Sequence, residues 1–281
     1  MGADLIKIYF GFKAVLKLIM NNCSLVISTY NWPEALDLCL KSVLLQTIMP
    51  DEIIIADDGS DARTKAVIED FQRQSRVTVK HVWHEDTGFR LAQIRNKAVR
   101  NAQTDYIIQI DGDIILNKHF IQDHLFVREP GCFLRGTRAH IVEKQLKALF
   151  SLKQVNLKFY SQGIKHRFNA IRIPFLSWIL TKKQLDPRRI KGCNLAFWKA
   201  DFVAVNGYNN DLVGWGHEDE EFTSRLVNYG VFKKSVKLRC VQFHIFHKLA
   251  SRAQEQVHED ELESVRKNNR IQVANGYKEV N

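Results

Sequence analysis

Between Ser24 and Asp113, four short apolar runs alternate with stretches of helical spacing, and nothing else in this chain restricts its fold as tightly. The runs Ser24–Thr29 and Glu52–Ala56 are short and rich in β-branched residues, which predicts buried strands; Val77–Trp83, alternating in part, reads as a third strand and Tyr106–Ile110 as a fourth. Asn31-Trp32-Pro33-Glu34 reads as a helix entry, with proline in the first turn and Leu36, Leu40, Val43 and Leu44 following at helical spacing. Asp61 to Gln74 and Arg90 to Ala102 read as two further helices. Strands alternating with helices of this length imply an α/β fold, with a mostly parallel sheet flanked by helices. Ligands of such sheets bind beyond the carboxyl ends of the strands. Asp57 and Asp58 follow the second strand and Asp111 and Asp113 the fourth, so the acids stand where a ligand is expected.

The second half is less regular. Gly192–Phe197 reads as a short strand or turn, Glu221–Tyr229 as a helix stopped by Gly230, and Val236–Phe246 as a late strand. A surface helix is expected over Glu255–Lys267, followed by a loose tail. The division that follows is an appendage over 1–20, one large domain over 21–250, and a C-terminal helix and tail over 251–281. Lys7, Lys13 and Lys17 interrupt the apolar residues of the appendage, and no run is long and apolar enough for a transmembrane helix. Five cysteines at irregular spacing form no CxxC pair, which favours buried free thiols and a reducing compartment over a disulfide framework or zinc knuckle.

The net charge of +10 is unevenly placed. Between Lys144 and Lys191 stand twelve Lys or Arg against one acid, Asp186, so this segment carries +11 and the remainder is near neutral. Phe150, Phe159, Tyr160, Phe168, Phe175 and Trp178 are interleaved with those cations. A basic, aromatic-rich helical insertion of this kind suits anionic lipid headgroups or a lipid-linked acceptor; an ordinary insertion whose apolar residues are core is the alternative. Nucleic-acid binding would also use such a segment. It leaves the acidic clusters unexplained, because acids lining a groove repel phosphate, so no nucleic acid is expected.

Candidate chemistry lies in four places. Asp111-Gly112-Asp113 sets two carboxylates one residue apart at a strand end. Such a pair repels unless a hard divalent cation, Mg2+ or Mn2+, stands between them; a solvated acidic turn is the plain alternative. Asp57-Asp58-Gly59-Ser60 offers carboxylates to a base or ribose, or simply caps the next helix. Glu218-Asp219-Glu220-Glu221 follows Gly214-Trp215-Gly216-His217, the composition of a loop that approaches a ligand. An acid there serves as a general base, and Trp215 stacks on a sugar face or belongs to the core. His244 and His247 offer a third metal ligand or are ordinary structural histidines.

The order of these motifs resembles the inverting glycosyltransferases of family 2, which have the Rossmann-like GT-A fold. SLVISTYNWPEALDLCLKSVLLQT, EIIIADDGSD and RLAQIRNKAVRNAQTDYIIQIDGDIIL match that family's N-terminal half. GCNLAFWKADFVAVNGYNNDLVGWGHEDEEFTSRLVNYG resembles the C-terminal part shared by galactosyltransferases, chondroitin-type polymerases and polypeptide N-acetylgalactosaminyltransferases. The resemblance covers about Ser24 to His247; residues 144–191 match nothing in it.

The resemblance implies Thr29 and Tyr30 beside the nucleotide, Asp57 or Asp58 on uracil or ribose, and Arg95 near the diphosphate or uracil. It implies Asp111 and Asp113 on ribose and metal, Asp219 as catalytic base, and Glu218 holding donor or acceptor hydroxyls. HIFHK is similar to the metal-binding HVFRK of some relatives, which favours His244 over His247 as ligand. Trp215, Gly216 and His217 would face the acceptor, with His217 standing where many relatives have glycine. The expected activity is metal-dependent, inverting transfer from a UDP-sugar to a saccharide or lipid-linked saccharide. The expected setting is bacterial surface polysaccharide synthesis (lipopolysaccharide, O-antigen or capsule), in the cytoplasm or peripheral on the inner face of the cytoplasmic membrane. A nucleotide-sugar-forming nucleotidyltransferase is the rival enzyme. Its glycine-rich loop has no counterpart in Ser28-Thr29-Tyr30-Asn31-Trp32-Pro33.

Overall fold

The computed structural model of this chain describes residues 22–248 and 252–280. The appendage expected over 1–20 lies outside them. Strands β1 (Ser24–Thr29), β2 (Glu52–Asp57), β3 (Thr78–Trp83) and β4 (Tyr106–Asp111) fall on the four apolar runs, joined by helices α1 (Pro33–Leu44), α2 (Ala62–Gln74) and α3 (Leu91–Asn101). Asp61 caps α2, accepting from the amides of Arg63 and Thr64 and so satisfying donors the helix itself cannot pair. β1 pairs in parallel with β2 and β4, and β2 with β3.

β1, β2 and β4 are covered on both faces and their side chains alternate between two cores, whereas β3, at the sheet edge, is only partly buried. Leu25 and Ile27 of β1 pack with Leu36, Leu40 and Val43 of α1. Val26, between them, packs with Ala98 and Val99 of α3 on the other side. Each fully buried aliphatic side chain stabilises by roughly 1.5–3 kcal/mol.

The rest of the chain adds β5 (Ile114–Leu116), α4 (Phe120–Val127), β6 (Cys132–Arg135), β7 (Ala139–Ile141), α5 (Leu146–Ser151), β8 (Ile164–Lys165), α6 (Pro174–Leu180), β9 (Lys182–Gln184), β10 (Leu195–Trp198), α7 (Lys199–Ala204), α8 (Glu218–Asn228), β11 (Phe232–Ser235), β12 (Gln242–His244) and α9 (Glu255–Lys267). The large sheet runs β3-β2-β1-β4-β10-β6-β11-β9, and a smaller one runs β5-β12-β7-β8. The chain steps outward from β1 to β3 and returns on the other side of β1 as β4. In sheets of this kind a ligand crevice forms at that reversal, here at the carboxyl ends of β1 and β4.

Several expectations need correction. α8 starts at Glu218, three residues before the expected start, so the acidic run is the helix's first turn, where its dipole favours negative charge. The late strand shrinks to Gln242–His244, and β11 was not foreseen. The expected loose tail is pinned: the amide of Tyr277 donates to Asn206 O at 2.8 Å, and that of Asn210 to Asn275 O at 2.9 Å. The basic stretch 144–191 carries the short helices α5 and α6 and is also stitched into both sheets, through β8 against β7 and β9 against β11. All five cysteines are buried and free. No helix among the described residues is long and apolar enough to cross a membrane.

Candidate active site

The crevice is built first by a tight approach of two strand ends. The amide of Gly112 donates to Ser28 O at 2.7 Å. A Cβ on Gly112 would stand 3.1 Å from both Ser28 O and Thr29 Oγ1. This contact turns the chain sharply between Asp111 and Asp113, and the two carboxylates face different partners.

Asp111 faces Arg95, which rises from α3 into the crevice and is 1% exposed. Arg95 Nη2 donates to Asp111 Oδ1 at 3.0 Å, and Nη1 to Asp219 Oδ1 at 2.9 Å, with Glu218 Oε1 at 3.4 Å. Its Nε donates to Ser28 Oγ at 3.2 Å. Burial opposes its charge, but Asp219, Tyr208, Asp111 and Glu218 outweigh that and hold the guanidinium protonated. One desolvated cation thus joins the end of β4 to the start of α8. Every nitrogen of it is engaged within the protein, which the sequence expectation of a diphosphate or uracil contact did not foresee.

Glu218 and Asp219 open α8. His217 before them has φ 59°, in the left-handed region, and sets the angle at which the chain enters the helix. Asp219 Oδ2 accepts from the amide of Gly192 at 2.7 Å. The Tyr208 hydroxyl lies 3.3 Å from Asp219 Oδ1 and 3.0 Å from Gln109 Oε1. The Glu218 carboxyl is pushed up to about 7, first by burial and then by the Asp219 charge beside it. Asp219 keeps the more open side chain of the two, 18% against 11%. Gly192, Tyr208 and Gln109 were missed as site residues, because nothing local marks a glycine or a tyrosine as a partner of a distant acid.

Asp113 faces two histidines. β12 pairs antiparallel with β5, His244 opposite Ile114, and the amide of Ile245 donates to Asp113 O at 2.9 Å. Nε2 of His244 and Nε2 of His247 each lie 3.5 Å from Asp113 Oδ2. One ligand atom from each of the three residues falls within 4.8 Å of the others. Asp111 is not part of that group, and His247, ranked behind His244 on sequence, stands as close as His244.

The donor set suits a divalent cation. Asp113 Oδ1 is buried with no hydrogen-bond partner, and burial pushes this carboxyl up to about 6. Burial, then Arg138, lowers His244 to about 4, leaving a neutral imidazole with a free lone pair. A bound cation would compensate the carboxylate and use that lone pair.

At the other end of the crevice, Thr29 is nearly buried and Tyr30 half exposed, its hydroxyl donating to Asp86 Oδ2 at 2.9 Å. Thr29 and Asp57 are paired across β1 and β2. Asp57 accepts from the Ser60 amide at 2.9 Å and meets His81 Nε2 at 2.8 Å. Asp58 meets His84 Nε2 at 2.6 Å and accepts from the Arg90 amide at 2.9 Å. Both acids are buried and each is backed by a histidine that the sequence did not connect to it.

The loop ahead of α8 is strapped by the C-terminal helix. His258 of α9, buried, meets Gly216 O through Nδ1 at 2.5 Å and Val213 O through Nε2 at 3.1 Å. The Arg252 guanidinium lies 5.3 Å over the Trp215 ring. Trp215 and His217 are partly exposed, and Gly216 is buried between them.

Comparisons with known proteins agree with this layout. Residues 24–169 match the profile of glycosyl transferase family 2, and residues 176–248 that of the N-terminal domain of galactosyltransferase. The chain is 28% identical over 237 residues to chondroitin synthase of Escherichia coli, covering 79% of this chain and 34% of that protein. It is 28% identical over 225 residues to validoxylamine A glucosyltransferase of Streptomyces hygroscopicus subsp. limoneus, covering 74% and 48%. It therefore spans half or less of the length of these relatives. A mannosyltransferase from Pyrobaculum calidifontis, solved in complex with GDP-Man and Mn2+, superposes with a TM-score of 0.55 at 14% identity, covering 79% of this chain and 56% of that one. The shared fold is that of GT-A glycosyltransferases.

Proposed function

This chain belongs to glycosyl transferase family 2, and from that premise we propose that it moves a hexosyl group from a UDP-sugar to a saccharide hydroxyl, inverting the anomeric centre. The observation that carries this reading is the buried arginine, Arg95, that pairs at once with Asp111 at the end of β4 and with the Glu218–Asp219 pair at the start of α8. Carboxylates suited to a donor and carboxylates suited to an acceptor are thereby fixed within reach of one reacting centre.

In this reading Thr29, Tyr30, Asp57 and Asp58 line the nucleoside end, and Asp111 faces the ribose. Asp113, His244 and His247 hold a divalent cation, Mn2+ or Mg2+. When bound, the cation would neutralise charge developing on the leaving diphosphate. The P. calidifontis mannosyltransferase, whose complex contains a nucleotide sugar and Mn2+, supports that class of donor and metal. Trp215, Gly216 and His217 shape the acceptor side, where Trp215 offers a ring to a sugar face. Glu218 binds a hydroxyl.

Asp219 is the base. The acceptor oxygen bonds to the anomeric carbon as the bond from that carbon to the diphosphate oxygen breaks. The acceptor proton passes to the Asp219 carboxylate, and UDP departs with the bonding pair. One in-line displacement turns an α-linked donor into a β-linked product. Geometry favours Asp219 over Glu218: its side chain is the more open, and Gly192, Arg95 and Tyr208 fix its orientation. The relative that synthesises chondroitin supports a growing saccharide as acceptor. Surface polysaccharide synthesis at the inner face of a cytoplasmic membrane is the setting we propose.

Calorimetric titration with UDP, a panel of UDP-sugars and GDP-mannose, with and without Mn2+, tests this. Mn2+-dependent UDP binding, lost on Asp113→Ala, is the expected result, and the ranking of the panel identifies the sugar. A folded sample that binds no nucleotide would overturn the reading.

A further inference from the structure

We infer that α6 and the cations around it form a docking surface for an anionic lipid bilayer. α6 is seven residues long, and Ser177 is its one buried residue. Phe175 is 73% exposed, Trp178 77% and Ile179 58%, and nearby in sequence Phe168 is 86% exposed. Large apolar side chains cluster in this way on a protein surface when something covers them.

The helix is anchored from behind. The Ile173 amide donates to Leu238 O at 3.0 Å, and Ser177 Oγ to Lys237 O at 2.7 Å. Arg172 makes a two-pronged ion pair with the buried Asp123, both contacts at 2.8 Å. The apolar face is therefore presented outward by a fixed base.

Charge selects the occupant. The segment that carries α6 holds +11, and the rest of the chain is near neutral. Lys165, Lys182 and Lys191 are exposed and have no carboxylate partner among the described residues. A second copy of the same face would meet like charge. An anionic bilayer offers negative headgroups to the lysines and a hydrocarbon boundary to the rings, the combination that an interfacial helix uses.

The chain links this helix to the site. From α6 the chain passes through β9 to Arg189, whose amide donates to Glu220 Oε1 at 2.8 Å, and to Gly192, whose amide holds Asp219. A bilayer bound at α6 would thus lie on the same segment that frames the acceptor side. The docking needs nothing from the reaction, so it stands or falls separately from the sugar-transfer reading.

The test is flotation of the full chain with vesicles of phosphatidylcholine, alone or mixed with phosphatidylglycerol, at low and high salt. Binding is expected to the mixed vesicles only, and to weaken with salt. Lys182→Glu should weaken it by about fivefold or more, and Phe175→Ser/Trp178→Ser/Ile179→Ser by roughly tenfold or more. These side chains are exposed, so both variants should retain the wild-type melting temperature and UDP affinity. Brominated lipid should quench tryptophan emission in the wild type and much less in Trp178→Phe. No flotation by a folded sample at low salt would overturn the inference, as would equal binding to neutral vesicles. Light scattering that shows dimers in the wild type, lost in the triple variant, would overturn it in favour of a second copy.

Discussion

The amide of Gly192 donates to Asp219 Oδ2 at 2.7 Å, and a methyl group on Gly192 would stand 2.3 Å from Asp219 Oδ1. The proposed base is thus positioned by the residue that directly follows the basic segment, and a Cβ there would collide with the carboxylate as it stands. Gly192→Ala should push the carboxylate aside. A displacement of about 1 Å costs on the order of 10²-fold in turnover, with UDP affinity unchanged. Steady-state kinetics beside calorimetry checks this, and normal kcat in the alanine variant would remove the positioning argument.

Asp219→Asn keeps the shape of the side chain and removes its basicity. Turnover should fall by roughly 10²–10⁴-fold with donor binding retained. Glu218→Gln should instead raise the acceptor KM more than it lowers kcat. The reverse pattern, a large kcat loss in Glu218→Gln and a small one in Asp219→Asn, would exchange the two roles.

Glu218 also makes stability depend on pH. Its carboxyl stands at 4.5 in the ordinary range and at about 7 in the fold. Between those values the unfolded chain has released the proton that the folded chain keeps. The folded state then binds more protons, so stability falls as pH rises from 4.5 to about 7 and has no further slope from this group above that. Measured by denaturant unfolding, the difference in stability between the wild type and Glu218→Gln should slope downward across this window, because Glu218→Gln lacks this one titration while the other groups titrate in both. In Asp219→Asn the slope should end at a lower pH, because one of the charges that raise Glu218 is gone.

Arg95 carries the charge balance of the crevice. Arg95→Met leaves Asp111, Glu218 and Asp219 without their shared cation, and loss of one partner from a buried ionic group costs about 3–5 kcal/mol. Arg95→Lys does not rescue it, since an ammonium cannot serve three directions as the planar fork does. Thermal unfolding should show both variants well below the wild type, with Asp111→Asn/Arg95→Met recovering part of the loss. Equal stability of all four proteins would show that the contacts contribute nothing net.

Metal binding follows the trio rather than the carboxylate pair. His244→Ala and His247→Ala should each weaken Mn2+ binding roughly tenfold or more, and Asp113→Ala should abolish it. Asp111→Asn should leave Mn2+ affinity in the absence of nucleotide close to that of the wild type. Calorimetry with Mn2+ alone distinguishes these cases. An unaffected His247→Ala would leave His244 as the histidine ligand and bear out the motif comparison with HVFRK.

Much of this was legible in the chain itself. The β-branched runs, proline at the entry of α1 and helical spacing determined β1 to β4 and α1 to α3, because strand and helix periodicity are local physics; the cap of α2 falls on Asp61 rather than within Asp57–Ser60, where the sequence suggested it. The acids at strand ends marked the candidate site, since a parallel sheet puts its ligands there. The sequence did not determine which groups those acids meet. That Asp111 turns to Arg95 while Asp113 turns to His244 and His247 follows from Gly112 pressing on Ser28 and from β12 pairing with β5. Gly192 against Asp219, His81 and His84 behind Asp57 and Asp58, and His258 under the Val213–Gly216 loop are likewise contacts between distant parts of the chain. Such contacts depend on how layers pack, and no local pattern encodes them. The sequence set the alternation of elements and the charge of the basic segment; tertiary packing alone decided which carboxylate is free, which is paired, and which face of that segment is left open.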